Sequence, residues 1–494
     1  MVLLDGAGLT CAEVHAAAYD GARVTIASLD RARAAWITAQ ELTGPVYGRT
    51  TGLGANRNVL VEAPGLDVLR SHAIGAGPPI EPARARAMLV VRLNQLLVGG
   101  SGLDPALLPV LADAINDGFT PPVRTYGAIG TGDLTALATT ALCLLGELPW
   151  HHDPSLAVPD EQNDPAPPPP VFPEEPPARG EGFAEKPPAH GEGAAPDARS
   201  PRGEPAPGPR FPLSSGDALP FISSGAATLA DAAIACHRLR LLFETAIDVA
   251  ARSFTAVGAS AEPLAATVQE ARPHPGQAAV AARLRGLLAR EQATRIQDPY
   301  GFRAFAQVHG AAVDALDRAS ATVETDLNAA TENPLIAGSL AWHNGNFHAA
   351  PVALALDALR AAVAQTAQLS TARLASLMDP AYTGRHPFLA NRPGASGVLI
   401  LEYVAQDALA ELRHLANPVT SGTAVISLGV EDHASFATQA ARHALRCLEP
   451  LEIILSCELA AATRALHPPP PDRPLTDDLA AAHHTVTHPT NHTP

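Results

Sequence analysis

The chain has 494 residues, 47% of them apolar and only 4% aromatic, with a formal net charge of −16. The length accommodates one large domain or two to three ordinary ones, with a sizeable core built mainly from Ala, Leu and Val, a helix-favouring mix. The acidic balance speaks against a nucleic-acid or anionic-membrane surface and leaves a solvated acidic exterior as the plain reading.

Taken in chain order, helical periodicity is expected over residues 83–98 and 135–148. Residues 151–213 are crowded with Pro, Gly, Glu and Asp, as in Pro165-Ala166-Pro167-Pro168-Pro169-Pro170. They read as a disordered insert, since proline blocks helix interiors and few apolar residues offset the ordering entropy. Helices resume over 226–249, 310–327, 352–377 and 402–415. The 352–377 segment lacks Pro and Gly and would run about 39 Å. A further helix, kinked or split at Pro450, covers 435–464. From residue 467 onward, beginning Pro468-Pro469-Pro470-Pro471, a flexible tail is expected. Helices apolar on several faces belong in a bundle. The expected architecture is therefore all-α: an N-terminal helical part (1–150), the insert (151–213), a central bundle (214–466) and the tail (467–494).

The five cysteines, Cys11, Cys143, Cys236, Cys447 and Cys457, are scattered without a C-x-x-C pair, so buried thiols are expected rather than disulfides or zinc. No metal site is expected either, because His151-His152 and the His-rich tail lack ligand spacing. No basic-then-apolar leader opens the chain, and no apolar run is read as reaching the ~20 residues of a membrane helix. A cytoplasmic location follows, with neither nucleic acid nor membrane as partner.

Eight polar segments lie near helix ends. Tyr47-Gly48-Arg49-Thr50-Thr51-Gly52-Leu53-Gly54 is a glycine-rich loop whose Tyr serves as a general base if its pKa is lowered, or is a structural Tyr in a turn. Ser71-His72 and Arg92-Leu93-Asn94 follow, the Arg most simply as an ion-pair residue. Tyr126 to Leu134 contains Gly130-Thr131-Gly132 and opens a helix, with Asp133 as a candidate cap. Gln297-Asp298-Pro299-Tyr300-Gly301-Phe302-Arg303 places an Arg suited to a carboxylate. Asn328 to Pro334, Gly345-Asn346-Phe347-His348 and Glu431-Asp432-His433 complete the set, and turn chemistry or solvated charge accounts for each of these three alone.

Read in order, these segments resemble the histidine and aromatic amino acid ammonia-lyase family, most closely its histidine-specific members, from Leu9 to about Leu466. The resemblance implies the helical fold of the aspartase/fumarase superfamily and a homotetramer whose active sites draw on several subunits. It implies a small amino acid-like substrate and no external cofactor. In its place an internal Ala-Ser-Gly cyclises and dehydrates to an electrophile, methylidene-imidazolone. Carried over by position, Tyr47 is the base. Arg303 holds the carboxylate, with Tyr300 and Asn94 near it. His72 and Glu431 face the side chain, and Gln297 and Phe347 complete the substrate contacts. Gly130, Thr131 and Gly132 form the electrophile loop.

The chain departs from the family pattern in two places that concern the electrophile. Gly130-Thr131-Gly132 stands for Ala-Ser-Gly, so a ring made here carries an extra methyl on the carbon to be attacked. A one-residue gap is an alternative alignment at Gly130. Ser223 stands where the family has an assisting Asn, and lacks the amide's reach and two donors. Thr50 for Asn and Leu53 for Phe are smaller changes. The sequence leaves three readings open: a carbon–nitrogen lyase for histidine or an analogue, a repurposed lyase or cyclase that uses Tyr47 without the imidazolone on an activated substrate, and a catalytically silent binding protein.

Overall fold

The computed structural model describes residues 1–61, 65–158, 208–289 and 295–488. Four long helices, Ala226–Val257, Phe305–Leu327, Ala350–Met378 and Leu448–Leu466, pack on one another as the central bundle. Their small Ala side chains are buried on several faces, which lets the helices lie close with Leu and Val filling the gaps. Among the described residues the only sheets are four two-stranded ribbons.

The centre of the bundle is pinned by one buried polar network. Glu458 accepts hydrogen bonds from Arg373 Nε (2.6 Å) and Nη2 (2.8 Å), from Ser253 Oγ (2.6 Å) and from Ser370 Oγ (2.6 Å). Three long helices meet at that carboxylate. Desolvating such a pair is costly, so it is tolerated because every acceptor site is filled.

The expected helices lie where the periodicity puts them, most with added turns at one end, but the one expected over 135–148 stops at Leu145, where Gly146 takes a left-handed conformation. The 435–464 segment is two helices, Ala437–Arg446 and Leu448–Leu466, joined at Cys447. The break precedes Pro450, which sits in the first turn of the second helix, where a missing N–H breaks no bond. The tail departs from expectation. After the proline run, Thr476–Thr487 forms a helix that packs on Leu448–Leu466, with Ala482 and Val486 buried. Its apolar positions find a partner that composition does not reveal.

The bulk of the expected insert, residues 159–207, lies outside the described residues. Its two ends are anchored: His151–His152 pairs with Phe119–Thr120, Trp150 Nε1 donates to the Pro209 carbonyl, and Phe211 N donates to that of Leu144. The stretch Ala218–Val257 is long and apolar enough to cross a membrane by length and composition, contrary to the expectation above. Its most apolar window is 89% buried inside the protein, as befits the middle helix of a bundle. All five cysteines are free and buried.

Candidate active site

The 126–133 loop is where helix N-termini converge. Ala349 and Phe436 cap the starts of Ala350–Met378 and Ala437–Arg446, Ser224 and Gly225 precede Ala226–Val257, and the loop itself leads into Leu134–Leu145. Three successive loop carbonyls face the start of Ala437–Arg446. Gln439 Nε2 donates to Ala128 (3.0 Å), Phe436 N to Ile129 (2.9 Å) and Ser435 Oγ to Gly130 (2.7 Å). Ala349 N also donates to the Gly130 carbonyl, at 3.3 Å. The two backbone donors, Phe436 N and Ala349 N, lie at helix N-termini and carry their partial positive charge.

Asp133 was a candidate cap for its own helix. Its carboxylate instead accepts from Thr228 N (2.7 Å) and Thr228 Oγ1 (2.9 Å), and so caps the first turn of Ala226–Val257. Burial raises its pKa to about 6, against the lowering pull of those bonds.

Gly130 and Gly132 have φ of +83° and +113°, which favour glycine. A Cβ on residue 130 would lie 2.2 Å from Ser435 Oγ and 2.5 Å from Ala437 N, so the family's Ala has no room there. Ring closure needs the residue-132 nitrogen to attack the residue-130 carbonyl. Gly132 N makes no hydrogen bond among the described residues, while the Gly130 oxygen holds two donors. The Gly130-Thr131-Gly132 backbone fits formation of the imidazolone. Ser223, at the position of the family's Asn, accepts from Asn333 N (3.2 Å) through its hydroxyl, and the next carbonyl, that of Ser224, accepts from Asp133 N at the end of the loop (2.7 Å).

Phe347 lines a narrow cleft together with Gly130 and Gly132. The segment leading to it also reaches the Tyr47 loop, where Tyr47 N donates to His343 Nε2 (3.2 Å). The Tyr47 hydroxyl accepts from Gly54 N at 2.9 Å. Glu431 belongs to the same group. Its Oε1 lies 3.3 Å from the space a Cβ on Gly54 would occupy, and Ser427 Oγ accepts from Ala55 N at 3.0 Å. Burial pushes the Tyr47 phenol up; the Gly54 donor pulls it down and the Glu431 charge adds to the rise. A single chain therefore does not prime Tyr47 as a base. His72 ends the short helix Asp67–His72, which packs on Leu134–Leu145. Its Nδ1 donates to the Val68 carbonyl (2.7 Å), which fixes the orientation of the ring.

The carboxylate-binding candidates lie elsewhere. Tyr300–Arg303 is a short helix packed against Ala350–Met378, where the Gly301 carbonyl accepts from Arg373 Nη1 (3.1 Å). The electrophile loop touches that same long helix at Ala349. From Ala350 to Arg373 the helix rises roughly 35 Å. Gln297, Tyr300 and Arg303 thus do not meet Tyr47 or Thr131 within one chain. Arg303 stacks over the Tyr300 ring at 4.8 Å, and its Nε is buried without a partner among the described residues. Gln297 and Tyr300 are exposed.

Asn94 is a correction. It was placed near the substrate carboxylate, but it is fully buried, and both its amide hydrogens are used, on the Leu327 carbonyl (3.0 Å) and Asn328 Oδ1 (2.9 Å). No donor remains for a ligand. Arg92 is an ion-pair residue, buried against Glu332 at 2.9 Å, and it also donates to the carbonyls of Pro220 and Phe221 just before Ser223. Ser435, His343 and Ser427 escaped the sequence reading because nothing local marks a Ser or His that acts on a loop hundreds of residues away.

Residues 9–164 and 206–488 match a family model described as aromatic amino acid lyase. A histidine ammonia-lyase of Geobacillus thermodenitrificans is 33% identical over 486 residues, which cover 94% of this chain and 88% of the relative. Histidine ammonia-lyase from Trypanosoma cruzi superposes with a TM-score of 0.79 at 26% identity, covering 98% of this chain and 92% of that one. Tyrosine aminomutase from Streptomyces globisporus gives a TM-score of 0.81 at 25% identity, covering 98% and 96%. The motif order, the helical bundle and these matches agree, and the chain belongs to the aromatic amino acid lyase family.

Proposed function

We propose that this chain is an ammonia-lyase-type carbon–nitrogen lyase for histidine or a related amino acid, working in the cytoplasm as a homotetramer. The observation that carries the reading is Arg303, half-buried and stacked on Tyr300, with its Nε lacking a partner among the described residues. A guanidinium so held is a receptor for a planar carboxylate.

Arg303 from one subunit binds the substrate carboxylate, with Tyr300 and Gln297 beside it. Glu431 and His72 from another face the imidazole as acceptors, and Phe347 packs against the substrate. Tyr47 removes the β-proton. Its raised pKa requires that positive charge arrive with the substrate, from Arg303 and the substrate ammonium. The imidazolone, held by Gly130, Thr131 and Gly132, supplies an electrophile that makes amine loss feasible. The match of the chain to histidine ammonia-lyases over nearly its full length supports this assignment.

A second reading is favoured by one observation. Ser223 stands where the family has an assisting Asn, accepts from Asn333 N and lacks the amide's reach and two donors, which suits a substrate activated by its own structure, from which Tyr47 takes a proton without the imidazolone.

Ammonia release from L-histidine and a panel of analogues, comparing wild type with Tyr47→Phe, tests the function. Turnover in wild type that falls on the order of a hundredfold or more in the variant supports it. Equal, absent turnover in both overturns it for that panel and points to a binding role.

A further inference from the structure

The Gly130 carbonyl sits in a built cradle. Ser435 Oγ, on a residue 4% exposed, donates to it at 2.7 Å, and Ala349 N donates at 3.3 Å. The two donors come from segments 86 residues apart, counting from 349 to 435. Those segments are tied to each other: His348 Nε2 and His433 Nδ1 lie 3.0 Å apart, one residue before Ala349 and two before Ser435. Phe436 N and Gln439 Nε2 hold the preceding carbonyls, so the loop cannot swing away. The nucleophile for ring closure, Gly132 N, is unengaged among the described residues.

We propose that Ser435 and the Ala349 N–H form an oxyanion cradle that drives cyclisation of Gly130-Thr131-Gly132, giving a Thr-derived ethylidene-imidazolone. The proposal deepens the lyase reading above. Gly132 N bonds to the Gly130 carbonyl carbon, and the carbonyl electron pair moves onto the oxygen, where Ser435 and Ala349 N receive the charge. That oxygen leaves as water with the protons of Gly132 N and Thr131 N, and a double bond forms between the Gly130 carbon and Thr131 N. Thr131 then loses its α-proton and its hydroxyl as a second water, forming the exocyclic double bond. No oxidant is needed. Donors fixed where charge develops cost no reorganisation during the reaction. Glycine at 130 is the residue that lets the cradle close this tightly, because a Cβ there would strike Ser435 Oγ.

The test is the mass of the full chain and of the peptide spanning residues 128–134, followed in time after synthesis. Wild type should become lighter by two waters, with the loss mapped to Gly130-Thr131-Gly132. Thr131→Ala, which has no hydroxyl to lose, should not lose the second water. Ser435→Ala should cyclise on the order of a hundredfold more slowly, the effect of removing one such donor, while its thermal melt stays cooperative. Should Ser435→Ala not fold, Thr131→Ser keeps the cradle, removes the methyl and must cyclise at least as fast as wild type. Unmodified mass in wild type overturns the proposal, as does full-speed cyclisation in Ser435→Ala. Turnover by a chain of unmodified mass overturns this inference and leaves the lyase reading standing. A cyclised chain without turnover does the reverse.

Discussion

Asp133 and His309 are both fully buried and shifted in opposite senses. Burial raises Asp133 from its ordinary 3.8 to about 6. His309 donates from Nε2 to the Phe243 carbonyl (2.9 Å) and stacks on Phe305, and burial lowers it from 6.5 to about 4. A raised acid keeps its proton in the folded state, so the Asp133 contribution is full below pH 3.8 and is lost as pH rises through about 6. A lowered His stays neutral in the fold, so its contribution is full above pH 6.5 and is lost as pH falls through about 4. The windows overlap, and each effect is worth roughly 3 kcal/mol, so they largely offset each other in wild type. Asp133→Asn should make urea stability fall more steeply on acidification through this range, and His309→Gln should reverse the slope. Parallel slopes in wild type and both variants would contradict the assignment. Neither shift was readable beforehand: Asp133 looked like a local cap, and its partner Thr228 lies 95 residues away.

At the scale of helices, two buried ion pairs lock elements that hydrophobic contact alone would leave free to slide. Arg373–Glu458 joins Ala350–Met378 to Leu448–Leu466, with Ser253 adding Ala226–Val257, and Arg92–Glu332 fixes Pro82–Val98 to the loop that carries Asn333, while Arg92 also holds the carbonyls of Pro220 and Phe221 before Ser223. Removing one partner leaves a buried charge, at a cost of about 3–5 kcal/mol. Glu458→Gln should therefore lower the unfolding free energy by about that amount, measured by denaturant titration. A loss comparable with a surface pair, below about 1 kcal/mol, would show that the network is not the lock described. Element boundaries followed local rules well: Pro450 lies in a first turn, and Gly99, Gly146 and Gly258 end their helices with positive φ. The tail helix Thr476–Thr487 is the exception, since its stability comes from the helix beneath it.

For the whole molecule, the rise of roughly 35 Å along Ala350–Met378 separates the Tyr47 and Thr131 region from Arg303, so the proposed lyase site needs a second chain to complete it. Large apolar side chains stand in water on the segments involved: Leu428 is 94% exposed, Ile296 95% and Tyr300 70%. In the proposed assembly these side chains are the ones a neighbouring subunit would cover. Tyr47→Phe and Arg303→Met should each be inactive alone. Refolded together from an equal mixture, they should regain about a quarter of wild-type turnover, the chance that one site draws both intact residues from different subunits in a closed symmetric assembly. No recovery would mean that Tyr47 and Arg303 act in the same chain or that neither acts.

By itself the sequence determined the helical class, most helix boundaries and the order of the site motifs, because these rest on periodicity, proline and glycine rules, and residue spacing along the chain. Tertiary structure decided which partners the polar residues of those motifs take. It spent Asn94 on the N-terminal segment, turned Ser223 toward Asn333, and brought Ser435 and Ala349 onto the Gly130 carbonyl. Those roles depend on where a donor's partner ends up in space, and no local pattern encodes a hydrogen bond across hundreds of residues.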